Sequence, residues 1–288
     1  MTYSQLWRRL LPLYDEREAK AVVRTLLEER FNLTLTDLYT DGLDRLTDEE
    51  KVRMETLIER LEAGEPVQYV VGKARFCGRD YMVAPGVLIP RPETEMLCKE
   101  VISAYNRSYC ALQPPEPLRV LDIGTGSGCI AVTLALDLWN STVTAWDISG
   151  DALIIARENA HRLQAHVNLE LQDALNPDEM ALNAPPFDII VSNPPYICIR
   201  ESKDMAKHVL AHEPHTALFV PDDDPLLFYR SIAHYGLSHL NPDGMLAFEI
   251  NPIYAEKTCK MLEHMGYEQI EIKEDQYGKE RIVIARSD

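Results

Sequence analysis

Residues 118–128 read Leu-Arg-Val-Leu-Asp-Ile-Gly-Thr-Gly-Ser-Gly, a mostly apolar run that enters a glycine-rich turn. The residues that follow, 128–138, have the composition of a helix. A strand, a glycine turn and a helix in this order form the first unit of many ligand-binding α/β domains. This stretch therefore predicts an α/β domain with a ligand site at the turn.

Strand-like and helix-like segments alternate through the rest of the chain. The sequence predicts strands at 118–123, 142–147, 167–172, 187–192, 244–250, 268–273 and 281–286, and helices at 128–138, 151–164, 224–239 and 253–265. Alternation of this kind implies a mostly parallel sheet covered on both faces. The last two strands have no helix between them, so we expect an antiparallel pair at one edge.

The region before this domain has a different character. Residues 1–62 show helical spacing, and Thr47 with Glu50 forms a capping box at one helix start. Residues 67–71 and 81–83 are β-like and are separated by glycines, which predicts a hairpin. We therefore predict three parts: a helical domain at 1–65 that recognises the substrate, a β-hairpin linker at 66–92, and a catalytic domain at 93–288.

The spacing of the glycines favours one class of cofactor. The dinucleotide pattern G-x-G-x-x-G, counted from Gly124, requires glycine where Cys129 stands. The observed pattern is D-x-G-x-G-x-G, starting at Asp122. S-adenosyl-L-methionine has no phosphate, and its amino-acid end and sulfonium need close backbone approach, which glycine permits. The alternative is a tight turn without a ligand, and two further acidic residues weigh against it.

One of these residues ends the second predicted strand, and the other follows the third. Asp147 lies 23 residues after Gly124, close to the roughly 20-residue interval expected for a carboxylate that binds ribose hydroxyls. Asp173 falls where this fold usually contacts adenine. The carboxyl ends of parallel strands share one edge, where open α/β sheets bind ligands.

Asn193-Pro194-Pro195-Tyr196 leaves the fourth predicted strand at the same edge. An amide nitrogen is a poor nucleophile, so it must be held in line with the methyl donor while acceptors bind its hydrogens. The Asn193 oxygen and a proline carbonyl can accept those hydrogens, and the prolines have fixed φ. The Tyr196 ring can stack on a flat substrate and stabilise positive charge. The alternative is a stiff turn capped by Asn193.

Charge and composition limit the classes of partner. The net charge is −17; residues 1–75 carry 12 Lys and Arg against 15 Asp and Glu, and residues 76–288 carry 17 against 31. A surface that binds a nucleic-acid backbone usually has clustered Lys and Arg side chains, so we expect no direct nucleic-acid contact.

We find no signal peptide and no membrane-spanning run, which predicts a cytoplasmic protein. The six cysteines form no Cys-x-x-Cys pair and are expected to be free thiols. His208, His212 and His215 are spaced like metal ligands, but without supporting ligands we expect no metal.

Several motifs together resemble one family. Residues 66–72 read Pro-Val-Gln-Tyr-Val-Val-Gly, and residues 87–95 read Val-Leu-Ile-Pro-Arg-Pro-Glu-Thr-Glu. With the glycine turn and the tetrapeptide, they resemble the peptide chain release factor glutamine methyltransferases, the HemK/PrmC family. The resemblance implies a Rossmann-like seven-stranded S-adenosylmethionine-dependent methyltransferase domain, preceded by a small N-terminal helical bundle and a β-hairpin linker. It implies methylation of the side-chain amide N5 of the glutamine in the Gly-Gly-Gln motif of release factors, with S-adenosyl-L-homocysteine as the second product.

The resemblance also assigns roles to residues. The expected cofactor-binding residues are Gly124, Thr125, Gly126, Ser127, Gly128, Asp147, Ile148, Asp173, Ala174 and Asn193. The expected catalytic and glutamine-binding residues are Asn193, Pro194, Pro195 and Tyr196. The chain departs from the family pattern at Ala174, where a larger residue covers the adenine, so Leu175 is an alternative contact. It also departs at residues 219–224 and at Asn251, which replaces a glycine.

Two other hypotheses remain at this stage. The tetrapeptide also occurs in N6-adenine methyltransferases that act on DNA or RNA, but such enzymes need a basic groove. A binding module that has lost catalysis is the third possibility. We expect a monomer whose partner is a release factor.

Overall fold

A computed structural model describes residues 2–112 and 116–288 of the chain. Its long helices and short helical segments are α1 (Tyr3–Arg9), α2 (Glu16–Phe31), α3 (Leu35–Tyr39), α4 (Asp48–Glu62), α5 (Val67–Val71), α6 (Pro92–Leu112), α7 (Cys129–Asp137), α8 (Gly150–Arg162), α9 (Glu179–Leu182), α10 (Lys207–His212), α11 (Leu227–His239) and α12 (Ala255–Met265). Its strands are β1 (Lys73–Phe76), β2 (Arg79–Met82), β3 (Leu118–Ile123), β4 (Ser141–Asp147), β5 (Val167–Leu171), β6 (Phe187–Ser192), β7 (Ile197–Cys198), β8 (Phe219–Val220), β9 (Leu240–Glu249), β10 (Glu268–Glu274) and β11 (Glu280–Arg286).

The chain forms two compact units. The first comprises Met1–Lys73, Val83–Pro85 and Met205–Glu213, and the second comprises Ala74–Met82, Gly86–Asp204 and Pro214–Asp288. The division at residues 65 and 92 that the sequence suggested stays a prediction.

The first unit is helical, as its spacing predicts. Its core consists of apolar side chains from α1, α2 and α4, among them Leu6, Leu26 and Ile58, which are fully buried. Thr47 and Glu50 cap the start of α4 through hydrogen bonds in both directions, so the predicted capping box is confirmed.

The strand predicted at residues 67–71 is wrong, because this segment is the helix α5. Pro66 precedes it with a φ of −56°, close to the value of the first helical turn. Gly72 ends it in the left-handed conformation, with a φ of 78°. Tyr69, Val70 and Val71 are buried, so their β propensity is outweighed by packing. The hairpin itself exists, but it begins later, with β1 and β2.

The second unit contains a seven-stranded sheet in the order β10-β11-β9-β6-β3-β4-β5. The pairs from β9 to β5 are parallel, and β11 is antiparallel to both β9 and β10. Apolar clusters pack on both faces of this sheet. The predicted fold class and the predicted antiparallel edge pair are therefore confirmed.

Several boundaries differ from those expected, mainly at the starts of β9, α11 and α12. β9 begins at Leu240, four residues earlier, because Asn-Pro-Asp-Gly at 241–244 lies within the strand and not before it. α11 begins at Leu227 and α12 at Ala255, each after a turn. β7 and β8 pair in a two-stranded parallel sheet that the sequence did not predict.

The register of the sheet brings three strand ends together. Ile123 of β3 is paired with Trp146 of β4 on one side and with Ser192 of β6 on the other. The Ser192 hydroxyl donates a hydrogen bond of 2.6 Å to the Ile123 carbonyl. The residues that follow these strands therefore leave the sheet side by side.

Two further predictions concern the state of the cysteines and the presence of a membrane-spanning helix. The described cysteines, Cys77, Cys98, Cys129, Cys198 and Cys259, are free thiols. The side chain of Cys110 lies outside the described residues. In the described part of the chain, no helix combines the length and the apolar character needed to cross a membrane.

Candidate active site

The glycine turn is held open by its backbone conformation. Gly124, Gly126 and Gly128 all have positive φ, which only glycine adopts without strain. The N–H groups of Gly124 and Thr125 both donate to the Trp146 carbonyl, each at 2.9 Å. A side chain built on Gly124 or Gly126 would meet nothing within 4 Å, so this face of the turn is accessible.

The third glycine serves packing. A Cβ on Gly128 would lie 3.0 Å from Cβ and 3.1 Å from Cα of Ala156, which belongs to α8. Gly128 is also the N-cap of α7. Glycine here lets the start of α7 lie directly against α8.

Asp122 lies beneath the turn and is fully buried. Its Oδ2 accepts hydrogen bonds from the Thr125 hydroxyl at 2.6 Å and from the Ala131 N–H at 3.1 Å. Its Oδ1 has no hydrogen-bond partner among residues 2–112 and 116–288. Burial raises the pKa of Asp122 to about 7, although these hydrogen bonds act in the opposite direction. The site therefore contains a buried acceptor that a polar ligand can satisfy.

Asp147 ends β4 and is hydrogen-bonded to the turn. Its Oδ2 accepts from the Gly126 N–H at 2.8 Å, and its Oδ1 accepts from the Ser149 N–H at 2.9 Å. Burial raises the pKa of this carboxyl, and its backbone hydrogen bonds oppose that shift. Each carboxylate oxygen has a further lone pair, so Asp147 can still accept from two hydroxyls. The adjacent Ile148 is 63% exposed and offers an apolar surface beside them.

Asp173 and Ala174 follow β5, the strand next to β4. The Asp173 carboxylate accepts from the Leu175 N–H at 2.9 Å, which forms a local turn. The Ala174 carbonyl accepts from the Ser231 hydroxyl at 2.7 Å, and its side chain packs against the apolar cluster beneath. Leu175 is exposed, so it is available as the apolar contact that Ala174 is too small to make.

Asn193 follows β6 and lies next to a threonine far away in sequence. Its Nδ2 donates to the Thr94 hydroxyl oxygen at 3.1 Å. Thr94, in the first turn of α6, donates to Oε2 of Glu249 at 2.6 Å. Both Thr94 and Glu249 are only 2% exposed. Pro194, next along the tetrapeptide, is buried, whereas Pro195 is partly exposed.

Tyr196 closes the tetrapeptide through the same glutamate. Its hydroxyl donates to Oε1 of Glu249 at 3.0 Å. Burial raises the pKa of Tyr196 well above 10, and the Glu249 carboxylate acts in the same direction. Burial likewise raises the pKa of Glu249 above its usual value. Tyr196 is therefore a neutral donor, and its ring packs against the apolar cluster.

Asn251, where the resemblance predicts glycine, also contacts the tetrapeptide. Its Nδ2 donates to the Tyr196 carbonyl at 3.3 Å and to Oε2 of Glu201 at 3.0 Å. Its Oδ1 accepts from the Ile253 N–H at 3.1 Å. The side chain thus fixes the end of the tetrapeptide loop, and the substitution adds contacts there.

The sheet register places the glycine turn, Asp147 and the start of the tetrapeptide at neighbouring strand ends, whereas no hydrogen bond links Asp173 or Ala174 to them in the described part of the chain. Sequence reasoning did not assign roles to Thr94, Glu201, Glu249 or Asn251. Thr94 and Glu249 are 155 residues apart, so no local spacing indicates that they meet; the one sequence signal is that Thr94 lies in segment 87–95, which carries the family resemblance.

The three histidines occupy regular structure. His208 and His212 belong to α10, and His215 lies in a short 3-10 turn. Across residues 2–112 and 116–288, no three His, Cys, Asp or Glu side chains are grouped closely enough to hold a metal ion.

Two protein-family models match parts of the chain. The PrmC N-terminal domain family matches residues 5–72, and the methyltransferase small domain family matches residues 110–219. The chain is similar in fold to a 16S rRNA methyltransferase from T. thermophilus, solved in complex with AdoMet and guanosine. That likeness has a TM-score of 0.53 at 18% identity and covers 75% of this chain and 50% of the other.

Two curated relatives cover nearly the whole chain. A release factor glutamine methyltransferase from Bacteroides thetaiotaomicron is 43% identical over 96% of this chain and 95% of its own length. One from Flavobacterium psychrophilum is 36% identical over 97% of this chain and 96% of its own length. At this identity and coverage the resemblance seen in the motifs is confirmed, and the chain belongs to the release factor glutamine methyltransferase family.

Proposed function

We propose that this protein transfers a methyl group from S-adenosyl-L-methionine to the side-chain amide N5 of the glutamine in the Gly-Gly-Gln motif of peptide chain release factors. The observation that carries the proposal is the 43% identity to a release factor glutamine methyltransferase over 96% of the chain. The site geometry supports the chemistry independently, because a donor site and an amide-binding tetrapeptide leave adjacent strands.

The donor site has the groups that S-adenosyl-L-methionine requires. The accessible face of Gly124 and Gly126 allows close approach of the amino-acid end, and the unpartnered Oδ1 of Asp122 suits a nearby donor group. Asp147 would accept from the ribose hydroxyls, with Ile148 beside them. The remaining proposed contacts are Thr125, Ser127, Gly128, Asp173, Ala174 and Asn193.

The tetrapeptide would hold the glutamine. S-adenosyl-L-methionine supplies a methyl group on a positively charged sulfur, and S-adenosyl-L-homocysteine remains after transfer. The Asn193 oxygen and the Pro194 carbonyl would accept the two hydrogens of the glutamine nitrogen, and Pro195 keeps the loop rigid. The Tyr196 ring would pack on the flat amide. Catalysis would come from orientation and from acceptors that stabilise positive charge on the nitrogen while the N–C bond forms and the S–C bond breaks; the nitrogen then releases one proton to water, without a strong base.

A nucleic-acid substrate is the weaker alternative. N6-adenine methylation uses the same tetrapeptide chemistry, but residues 76–288 carry 17 basic against 31 acidic side chains. A surface of that balance repels a phosphate backbone. We propose a monomeric enzyme whose partner is the release factor.

The test uses the full chain with labelled S-adenosyl-L-methionine and three acceptors: a bacterial release factor, its Gly-Gly-Gln→Gly-Gly-Ala variant, and duplex DNA. The proposal predicts label on the native release factor alone. Label on DNA, or equal label on both release factors, would overturn it.

A further inference from the structure

We infer that Thr94 and Glu249 are positioning residues, which fix the orientation of the Asn193 amide so that its oxygen faces the substrate nitrogen. This inference rests on the proposed function for its catalytic consequence. Its structural basis is a continuous chain of hydrogen bonds from the partly buried Asn193 to two buried side chains: Asn193 to Thr94 at 3.1 Å, then Thr94 to Glu249 at 2.6 Å.

The polarity of this chain follows from counting hydrogens. Glu249 receives two hydroxyl donors, Thr94 on Oε2 and Tyr196 on Oε1. A threonine hydroxyl has only one hydrogen, and Thr94 gives it to the carboxylate. The hydroxyl oxygen can then only accept, so the side chain of Asn193 must direct its NH₂ group towards it.

The orientation of Asn193 is therefore set by its neighbours. The two ends of an asparagine amide are similar in shape, and their assignment depends on the hydrogen-bond network. With Nδ2 committed to Thr94, Oδ1 is directed away from Thr94. Among the described residues, no other hydrogen bond involves the Asn193 side chain.

This orientation decides whether the site can bind an amide nitrogen. A glutamine NH₂ group offers two hydrogens and needs acceptors. In the reversed orientation, Asn193 would present its own NH₂ to that group, donor against donor. The reversed form would also place Oδ1 against the Thr94 oxygen while Thr94 still donates to Glu249. Both effects disfavour the reversed orientation. Glu249, which reaches Asn193 only through Thr94, therefore determines which end of the Asn193 amide faces the reacting nitrogen.

The position of Thr94 shows why the linker matters to the site. Thr94 N donates to the Arg91 carbonyl at 3.1 Å, so the hydroxyl is held by the first turn of α6. Glu249 is the last residue of β9, the neighbour of β6 in the sheet. Two separate parts of the second unit therefore converge on the start of the tetrapeptide.

Variants at Thr94 separate hydrogen bonding from packing. Thr94→Val keeps the shape and removes the hydroxyl, whereas Thr94→Ser keeps the hydroxyl and removes the methyl group. We expect kcat to fall about tenfold or more in Thr94→Val, because one buried hydrogen bond is lost. In Thr94→Ser, which keeps the hydroxyl, kcat should return most of the way to the wild-type value. KM for S-adenosyl-L-methionine should change less than about threefold in both, because the glycine turn and Asp147, which make most of the proposed donor contacts, are unchanged.

The matched control is Thr133→Val. Thr133 is a buried threonine whose hydroxyl pairs with the Tyr81 hydroxyl at 2.8 Å, away from the tetrapeptide. This variant should lose stability without a tenfold loss of kcat. If it loses as much kcat as Thr94→Val, general loosening explains both results and the inference fails.

Glu249→Gln tests the second link. Its amide nitrogen would face one of the two hydroxyls that now donate to the carboxylate, so the chain of donors is broken. We expect a loss of kcat similar to that of Thr94→Val. The double variant should lose less than the product of the two single losses, because both act on one chain. If the two losses of kcat multiply in the double variant, Thr94 and Glu249 act independently, which would contradict the inference that they act through one hydrogen-bonded chain.

A readout without turnover keeps this inference separate from the proposed function. In ¹⁵N-labelled protein, the Asn193 side-chain NH₂ signal, assigned by its absence in Asn193→Ala, should exchange slowly with solvent. Exchange should become faster in Thr94→Val and stay slow in Thr94→Ser. If the wild-type protein methylates no release factor, the proposed function fails while this measurement still decides the orientation. Equal exchange in the Val and Ser variants would overturn the inference.

Discussion

The Gly126 N–H donates a hydrogen bond of 2.8 Å to Oδ2 of Asp147, which ties the glycine turn after β3 to the acidic residue that ends β4. The second carboxylate oxygen is held by the Ser149 N–H. One side chain thus fixes the turn, the end of β4 and the start of the next helix. The residue proposed to bind the ribose therefore also shapes the donor site.

Asp147→Asn tests this dual role. An asparagine has one acceptor oxygen where aspartate has two, so it must lose either the contact to Gly126 or the contact to Ser149. We expect the affinity for S-adenosyl-L-methionine, measured by titration calorimetry, to fall about tenfold or more. Asp151→Asn, at an exposed position in the first turn of α8, is the matched control and should bind normally. Affinity within twofold of wild type in Asp147→Asn would remove Asp147 from the donor site.

Asn193→Ala tests the acceptor at the reacting nitrogen. Since the proposed role of the side chain is to orient the glutamine, we expect most turnover to be lost, with kcat down about 100-fold or more. Donor affinity should stay within about an order of magnitude. Asn183→Ala, an exposed asparagine at the end of α9, should leave kcat unchanged. Near-normal turnover in Asn193→Ala would contradict the assignment.

Gly128→Ala tests the packing role of the third glycine. The new methyl group would meet Ala156 at 3.0 Å, and the residue would keep a φ of 80° that alanine adopts with strain. We expect the free energy of unfolding, from urea denaturation, to fall by about 1–3 kcal/mol. Gly150→Ala, where a Cβ meets nothing within 4 Å, should be neutral or slightly stabilising. Similar stability of the two variants would show that Gly128 is not packed as described.

Asp122 predicts a pH dependence of stability in the protein without donor. Its pKa is raised by burial from 3.8 to about 7. Between about pH 4 and pH 7 the folded protein retains a proton that the unfolded chain releases, so this group favours folding less as pH rises. Asp122→Asn has no such proton. The free energy of unfolding of wild type, relative to Asp122→Asn, should therefore fall between pH 5 and pH 8. An unchanged difference at the two pH values would contradict the raised pKa.

The sheet was predictable from sequence because its strands have a simple composition. β3 and β6 match the predicted ranges to the residue, since buried parallel strands are apolar along most of their length. Segment 67–71 was misread because valine and tyrosine favour strands, while Pro66 and Gly72 set a helix. The sequence did not predict the early start of β9, because Asn-Pro-Asp-Gly at 241–244 is typical of turns.

The site was predictable only where its residues follow strands. Gly124 and Asn193 come directly after neighbouring parallel strands and Asp147 ends the next one, so their proximity follows from topology. The contact of Thr94 with Glu249 joins α6 to the end of β9 across 155 residues, and no local pattern encodes it. Asn251 replaced an expected glycine, and only the structure reveals that its side chain binds the Tyr196 carbonyl.

The central claim is that the methyl group reaches the side-chain nitrogen of one glutamine in a release factor. The most direct measurement is fragmentation mass spectrometry of the peptide containing Gly-Gly-Gln, after incubation of the release factor with the full chain and S-adenosyl-L-methionine. We expect one added methyl group on the glutamine side chain, formed at a rate lower by about 100-fold or more when Asn193→Ala replaces the wild-type enzyme. An unmodified glutamine, or a methyl group on another residue, would contradict it.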